Sequence, residues 1–162
     1  MSMLPPEQLY ETDFYAWTQA QAKELRRFAR TRPNVPLDLA HLAEEIQDLG
    51  RSEYEAAFSL MQRAIEHLLL IEHSPATEQR LHWADEIDEF RDQLERKLSP
   101  AIRRRLKREF EEACARARRR VQRKLTRYGE TQAAAMLPPE CPYTLEQVVG
   151  DWLPHAGLPD RT

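Results

Sequence analysis

Residues 38–73, DLAHLAEEIQDLGRSEYEAAFSLMQRAIEHLLLIEH, decide the fold class. Leu39, Leu42, Ile46, Leu49, Ala57, Leu60, Ala64, Leu68 and Ile71 recur mostly at three- and four-residue steps, the period of one face of an α-helix. Asp38 stands where an N-cap acceptor is needed. Ser74-Pro75 closes the segment, because proline has no N–H to continue the ladder. Gly50 falls inside the pattern, where it costs about 1 kcal/mol relative to alanine. The phase of the stripe survives across it, which predicts one long helix. The missing side chain then lets a neighbour approach closely. Trp17 or Phe14 from the preceding segment is expected in that space, with Arg51 pairing to an acid such as Asp13 or Glu45.

The flanking sequence repeats the same period. Phe14, Trp17, Ala20, Leu25 and Phe28 predict a helix from Thr12 or Asp13 to about Arg30, after a loosely held arm over residues 1–11. Trp83, Ile87, Phe90, Leu94 and Leu98 predict another over about Thr77–Leu98. Ser99-Pro100 reads as an N-cap followed by proline in the first turn. From there Ile102, Leu106, Phe110, Ala113, Ala117, Val121, Leu125 and Tyr128 define a fourth helix, closed by Gly129. In the remaining tail Thr144 caps a short helical turn. Tyr143, Leu145, Val148 and Trp152 make that tail too apolar to lie free, so it is expected to pack back. The expected architecture is all-α: an antiparallel bundle of four main helices forming one domain over residues 12–153, with a C-terminal tail over 154–162.

Composition narrows the function classes. The chain has 162 residues, a formal charge of −3, four glycines and two cysteines, and a mean hydropathy of −0.72. No glycine-rich phosphate loop or dinucleotide fingerprint is present. No apolar run reaches the roughly 20 residues that span a bilayer. Residues 1–6 lack a basic region and an apolar stretch, so no secretory signal is expected. A cytoplasmic protein that does not enter membranes follows as the expectation. Cys114 is expected to pack on the apolar side of the fourth helix, and Cys141 lies in the tail. Two cysteines are too few for a disulfide scaffold, and neither has a base or metal companion in view.

The charge is unevenly placed. Between Ser99 and Tyr128 there are twelve Lys/Arg and three acids, a local charge of +9, which leaves 12 basic against 24 acidic residues elsewhere. Arg103, Arg104, Arg105, Lys107 and Arg108 have acids available on the preceding helix. Arg116, Arg119, Arg120, Arg123 and Arg127 have few, and are the candidates for an external polyanion such as nucleic acid.

Tyr10, Asp13, Phe14 and Trp17, then Asp38, Leu42, Glu44-Glu45-Ile46 and Leu49-Gly50-Arg51-Ser52-Glu53, then His67-Leu68-Leu69 and Cys141-Pro142-Tyr143-Thr144, follow one another in a recognisable order. With these residues the chain resembles the bacterial domain-of-unknown-function family numbered twenty-nine, from about Tyr10 to Trp152. The Glu-Glu-Ile to Gly-Arg-Ser-Glu segment carries most of the likeness. The resemblance implies an all-helical fold and brings no established activity, cofactor or partner.

Several polar constellations remain. His41, Glu44 and Glu45 stand at i, i+3 and i+4, so they share a helix face and, with Asp85 and Glu89, form the candidate metal set. A bundle metal site pairs two Glu-x-x-His units. Here the order is reversed and the second unit is missing. Glu44, Glu45, Arg51, Glu53 and His67 are the candidate catalytic group. Glu45 and His67 are 22 residues apart, about 33 Å along an unbroken helix, which disfavours a joint centre. His67 is expected to pack with one partner from the backbone or an acid. Arg63 and His67 share a face, one residue short of the spacing used by helical ribonucleases of the HEPN type. His73 and His82 flank the Ser74-Pro75 turn.

Three function classes fit these residues. The first is a protein-interaction module acting on a partner or on itself. The second is nucleic-acid binding through the arginine-rich helix. The third is a metal-dependent hydrolase or nuclease using helix carboxylates. No cofactor is implied.

Overall fold

A computed structural model describes residues 4–156 and Leu158. Residues 1–3 and most of the expected tail at 154–162 lie outside the described residues. Every regular element among those described is helical: α1 (Pro6–Thr12), α2 (Phe14–Arg30), α3 (Leu39–His73), a 3-10 turn (Thr77–Gln79), α4 (Arg80–Glu95), α5 (Pro100–Arg108), α6 (Phe110–Arg127), α7 (Thr131–Ala135) and α8 (Leu145–Val149). The all-α expectation holds, and α3 runs unbroken through Gly50. None of these helices is long and apolar enough to cross a membrane. The described residues group into two compact units. Of the described residues, the first gathers those up to Ala57 and Lys97–Arg105, and the second Phe58–Arg96 and those from Leu106 onward.

In the first unit, residues expected in a loose arm form α1. Tyr10 meets Phe14 and Trp17 edge-on, with ring centroids 5.6 and 4.9 Å away. Asp13 caps two helices at once. One carboxylate oxygen accepts from Ala16 N at 3.0 Å, and the other accepts from Ala101 N at 2.8 Å in the first turn of α5. Both are backbone donors left orphaned at a helix start, so one buried acid satisfies two termini.

The space at Gly50 is filled by Thr18, not by Trp17 or Phe14. A Cβ built on Gly50 would overlap Thr18 Oγ1 and lie 3.0 Å from Thr18 Cβ. Thr18 is fully buried, and its hydroxyl donates to Tyr15 O at 2.7 Å. This corrects the buried face as well. Leu39, Ala43, Gly50, Tyr54 and Ala57 point inward, while Leu42 and Leu49 are 40% and 55% exposed. Ala43, Gly50 and Ala57 recur every seven residues, and helices approach most closely along such small side chains. Arg51 pairs with Asp48 at 2.8 Å rather than with Asp13 or Glu45. Arg105 lies over the Tyr54 ring, 3.8 Å from its centroid, and donates to Tyr15 Oη at 3.0 Å.

In the second unit the later part of α3 buries Met61, Ile65, Leu68, Leu69, Leu70 and Ile71. The expected single fourth helix is two, because the backbone leaves helical geometry at Glu109 (φ −101°, ψ 11°) before Phe110 starts α6. Gly129, with φ +78°, closes α6 as expected. Its N–H bonds to Thr126 O at 3.0 Å, and Glu130 N bonds to Leu125 O at 2.8 Å, the paired bonds of a Schellman ending.

Four devices order the C-terminal segment and hold it in place. Thr144 and Gln147 form a capping box at the start of α8. Arg91, 7% exposed, donates from Nε to Val148 O at 2.9 Å, and from Nη2 to Gln147 O at 2.9 Å and Trp152 O at 2.7 Å. It thus satisfies carbonyls that the end of α8 leaves without intrahelical partners. Tyr143 Oη donates to Glu72 Oε2 at 2.6 Å. Burial, with that carboxylate beside it, holds the phenol well above its ordinary 10.0, so the hydroxyl keeps its proton. Cys141 is also bonded to Cys114 of α6 as a disulfide, a pairing the sequence reading did not make.

Candidate functional site

Helix α6 turns Phe110, Ala113, Cys114, Ala117, Val121 and Leu125 inward, so its arginines fall on the outside. They divide into two sets. Arg116 pairs with Glu112 at 2.5 Å and stands over Phe58. Arg118 Nε donates to Pro138 O at 2.8 Å, and Arg120 pairs with Glu66 at 3.2 Å. These three hold the second unit together. Arg119, Arg123 and Arg127 are exposed and have no ion pair or hydrogen bond among the described residues. At i, i+4 and i+8 they stand about 6 Å apart along the helix. The candidate polyanion set of Arg116, Arg119, Arg120, Arg123 and Arg127 therefore splits between internal pairing and a free stripe.

A cleft of about 570 Å³ opens near the end of that stripe. Its floor is apolar: Leu70, Trp83 and Leu125 are all buried. His67, from α3, lines one wall. Its Nδ1 is 2.9 Å from Arg63 O and its Nε2 is 2.6 Å from Glu86 Oε2. A carbonyl oxygen can only accept, so Nδ1 carries a proton and donates it. Nε2 faces the Glu86 carboxylate, so the ring is held between a backbone and an acidic partner. The edge-on Phe90 ring, 5.1 Å away, braces the imidazole. His82 Nε2 approaches the other Glu86 oxygen at 3.6 Å. His67 thus packs with a backbone and an acidic partner, as expected. Glu86 had a signal in the sequence, since it follows His82 by four residues. The placement of Lys124, Tyr128 and Glu130 on the same cleft had none.

Most of the remaining candidates lie in the first unit. Glu53 pairs with Lys97 at 3.3 Å and Arg51 with Asp48. Glu44 and Glu45 are exposed. His41 Nδ1 is 2.6 Å from Asp38 Oδ2. That hydrogen bond, and then the carboxylate charges of Asp38 and Glu44, raise the His41 pKa, while the same bond lowers that of Asp38. The pair therefore favours imidazolium, whereas a metal takes the neutral ring. Four members of the candidate catalytic group, Glu44, Glu45, Arg51 and Glu53, belong to the first unit, and His67 belongs to the second. Asp85 and Glu89 are exposed on α4 in the second unit. Among the described residues no three His, Cys, Asp or Glu side chains gather as a metal-holding group.

The helices and these surfaces define an all-α protein with no fold-level signature of a particular chemistry. The chain belongs to the family described as domain of unknown function DUF29, whose model matches residues 9–153. A solved structure, an α-helical protein of unknown function from Rhodospirillum rubrum, is similar to it. The TM-score is 0.75 with 29% identity, over 86% of this chain and 88% of that one. Among curated proteins none matches this chain.

Proposed function

We propose that this protein is a protein-interaction module whose docking edge lies on the first unit. One observation carries the reading: Leu42 and Leu49, seven residues apart on α3, are 40% and 55% exposed. Ile46 lies half-buried between them, and Leu37 before the helix is 58% exposed. An apolar ridge on a charged helix is a surface that a partner covers. The exposed acids Glu44, Glu45 and Asp48 belong to the same stretch of α3. A second copy docked on this ridge would bring like charges together, which disfavours self-association. The partner that fits is an amphipathic helix of another protein, apolar on one face and flanked by lysine or arginine.

The test uses two synthetic leucine-faced helical peptides, one with lysine flanks and one with glutamate flanks. Fluorescence anisotropy should show binding of the lysine-flanked peptide only, weakened at least about tenfold in Leu42→Glu/Leu49→Glu, a loss of about 1.4 kcal/mol. Equal binding by wild type and the double variant refutes the reading.

A second reading rests on the free stripe of Arg119, Arg123 and Arg127, which suits a nucleic-acid strand. Phosphate contacts make such binding fall steeply with salt. A gel-shift series at rising salt, comparing wild type with Arg119→Glu/Arg123→Glu, decides it, and equal binding by both ends it. Metal-dependent hydrolysis gains no supporting observation, and elemental analysis of the purified protein is its test. Cytoplasmic residence is proposed from composition alone. In that reducing compartment the Cys114–Cys141 bond would open, and the C-terminal segment would be held by Arg91 and Tyr143.

A further inference from the structure

The lining of the second unit's cleft includes neither the leucines of the α3 ridge nor the exposed arginines of α6. Two opposite charges line it without meeting a partner. Lys124, half-buried on α6, makes no hydrogen bond or ion pair among the described residues. Neither does the Glu130 carboxylate, half-buried where α7 begins. They do not pair with each other either. The other acid of the cleft, Glu86, is already engaged by His67 at 2.6 Å and approached by His82 at 3.6 Å. That leaves Lys124 and Glu130 as its uncompensated cation and anion, above a buried apolar floor that includes Trp83.

A partly desolvated charge recovers solvation most fully from an opposite charge that also hydrogen-bonds it. A site with one spare ammonium, one spare carboxylate and an apolar floor is complementary to a molecule with the reverse set. The volume of about 570 Å³ falls in the range of small-molecule sites, about 300–1,000 Å³. We infer that this cleft binds a small zwitterion of the amino-acid class, with its carboxylate on Lys124, its ammonium on Glu130 and an apolar or aromatic side chain against Trp83. Tyr128, 70% exposed, stands at the cleft and can cover the side chain. Glu86, engaged by His67 and approached by His82, does not compete for the ligand's ammonium.

The inference stands independently of the docking edge and of the arginine stripe, and its test leaves both intact. Three probes of nearly one shape are titrated into full-length protein: L-phenylalanine, 3-phenylpropanoate and 2-phenylethylamine. Binding is read from the Trp83 indole N–H signal in ¹H–¹⁵N spectra, identified by its loss in Trp83→Phe. L-Phenylalanine should shift that signal and bind at least about tenfold more tightly than either singly charged probe, as one charge-assisted hydrogen bond requires. Lys124→Met should bring L-phenylalanine down to the affinity of the amine. Glu130→Gln should bring it down to that of the acid. Both substituted side chains reach the surface, and each variant is checked for an unchanged melting temperature. An unshifted Trp83 signal with all three probes overturns the inference. So does equal affinity for the three, or L-phenylalanine binding that survives both substitutions.

Discussion

Gly50→Ala is a direct test of how α2 and α3 pack. In an open helix this change stabilises by about 1 kcal/mol, the difference in helix propensity. At position 50 the added methyl would overlap Thr18 Oγ1 and come within 3.0 Å of Thr18 Cβ and 3.2 Å of Gln19 Nε2. Thr18 cannot swing away freely, because it is fully buried and its hydroxyl is bonded to Tyr15 O. Either that bond breaks, at about 1 kcal/mol, or the helices move apart. Overpacking of this kind costs about 1–3 kcal/mol. Set against the propensity gain, the net loss is about 1 kcal/mol, with about 2 at the upper end. For a chain of this size that is a fall in melting temperature of roughly 2–8 °C, read by circular dichroism. Thr18→Ala removes the overlapping oxygen, so Gly50→Ala should be less damaging in that background. The coupling between the two sites should be about 1 kcal/mol, within the range for residues in contact. A Gly50→Ala protein that melts higher than wild type would refute the close approach, and with it the inward placement of Ala43 and Ala57.

Arg91→Lys keeps the charge and loses the planar fork, so it cannot serve all three carbonyls of the C-terminal segment. We expect a loss of about 2–4 kcal/mol and new proteolytic cleavage near residues 145–153, and unchanged cleavage would count against the clasp. Tyr143 has a raised pKa in the folded state, so its contribution is whole below the ordinary 10.0. As pH climbs above that value the unfolded chain gives up its proton first, and stability falls by up to about 1.4 kcal/mol per pH unit. Tyr143→Phe should flatten this alkaline slope in urea melts, and a slope identical to wild type would contradict it. The Cys114–Cys141 bond joins residues 27 apart. In the chain-entropy model such a loop is worth about 3–4 kcal/mol. Reductant should therefore lower the melting temperature of wild type by roughly 10 °C and leave Cys141→Ser unmoved.

The long helix was legible because its period persists over 35 residues, and no local irregularity competes with a signal of that length. The start of α5 and the end of α6 were legible for a different reason. Proline and glycine impose backbone constraints of their own, so Pro100 and Gly129 mark boundaries whatever surrounds them. The buried face of α3 in the first unit was legible only in part: Leu39 and Ala57 of the expected stripe are buried, and Leu42 and Leu49 are not. Hydrophobic periodicity weights large apolar residues, and it selected Leu42 and Leu49. The inward face is set instead by small residues, Ala43, Gly50 and Ala57, whose value lies in the neighbour they admit.

The polar residues divide along the same physical line. Partners a turn apart on one helix can be read from spacing, which is why His82 near Glu86 and Arg51 near some acid were foreseeable. Partners that the chain brings together from far away cannot. Arg91 lies in a run of charged residues that reads as solvated surface, yet it is buried and its ligands are carbonyls 56 to 61 residues away. A carbonyl acceptor has no side chain, so it leaves no trace in composition or charge pattern. Lys124 illustrates the converse. Sequence placed it among seven neighbouring cations on α6 with nothing to set it apart, and only the fold shows that Arg116, Arg118 and Arg120 are engaged within the unit while Lys124 faces a cleft. The charge run is thus three functions of one helix face, structural pairing, free stripe and cleft lining, and substituting the run as a block would confound all three.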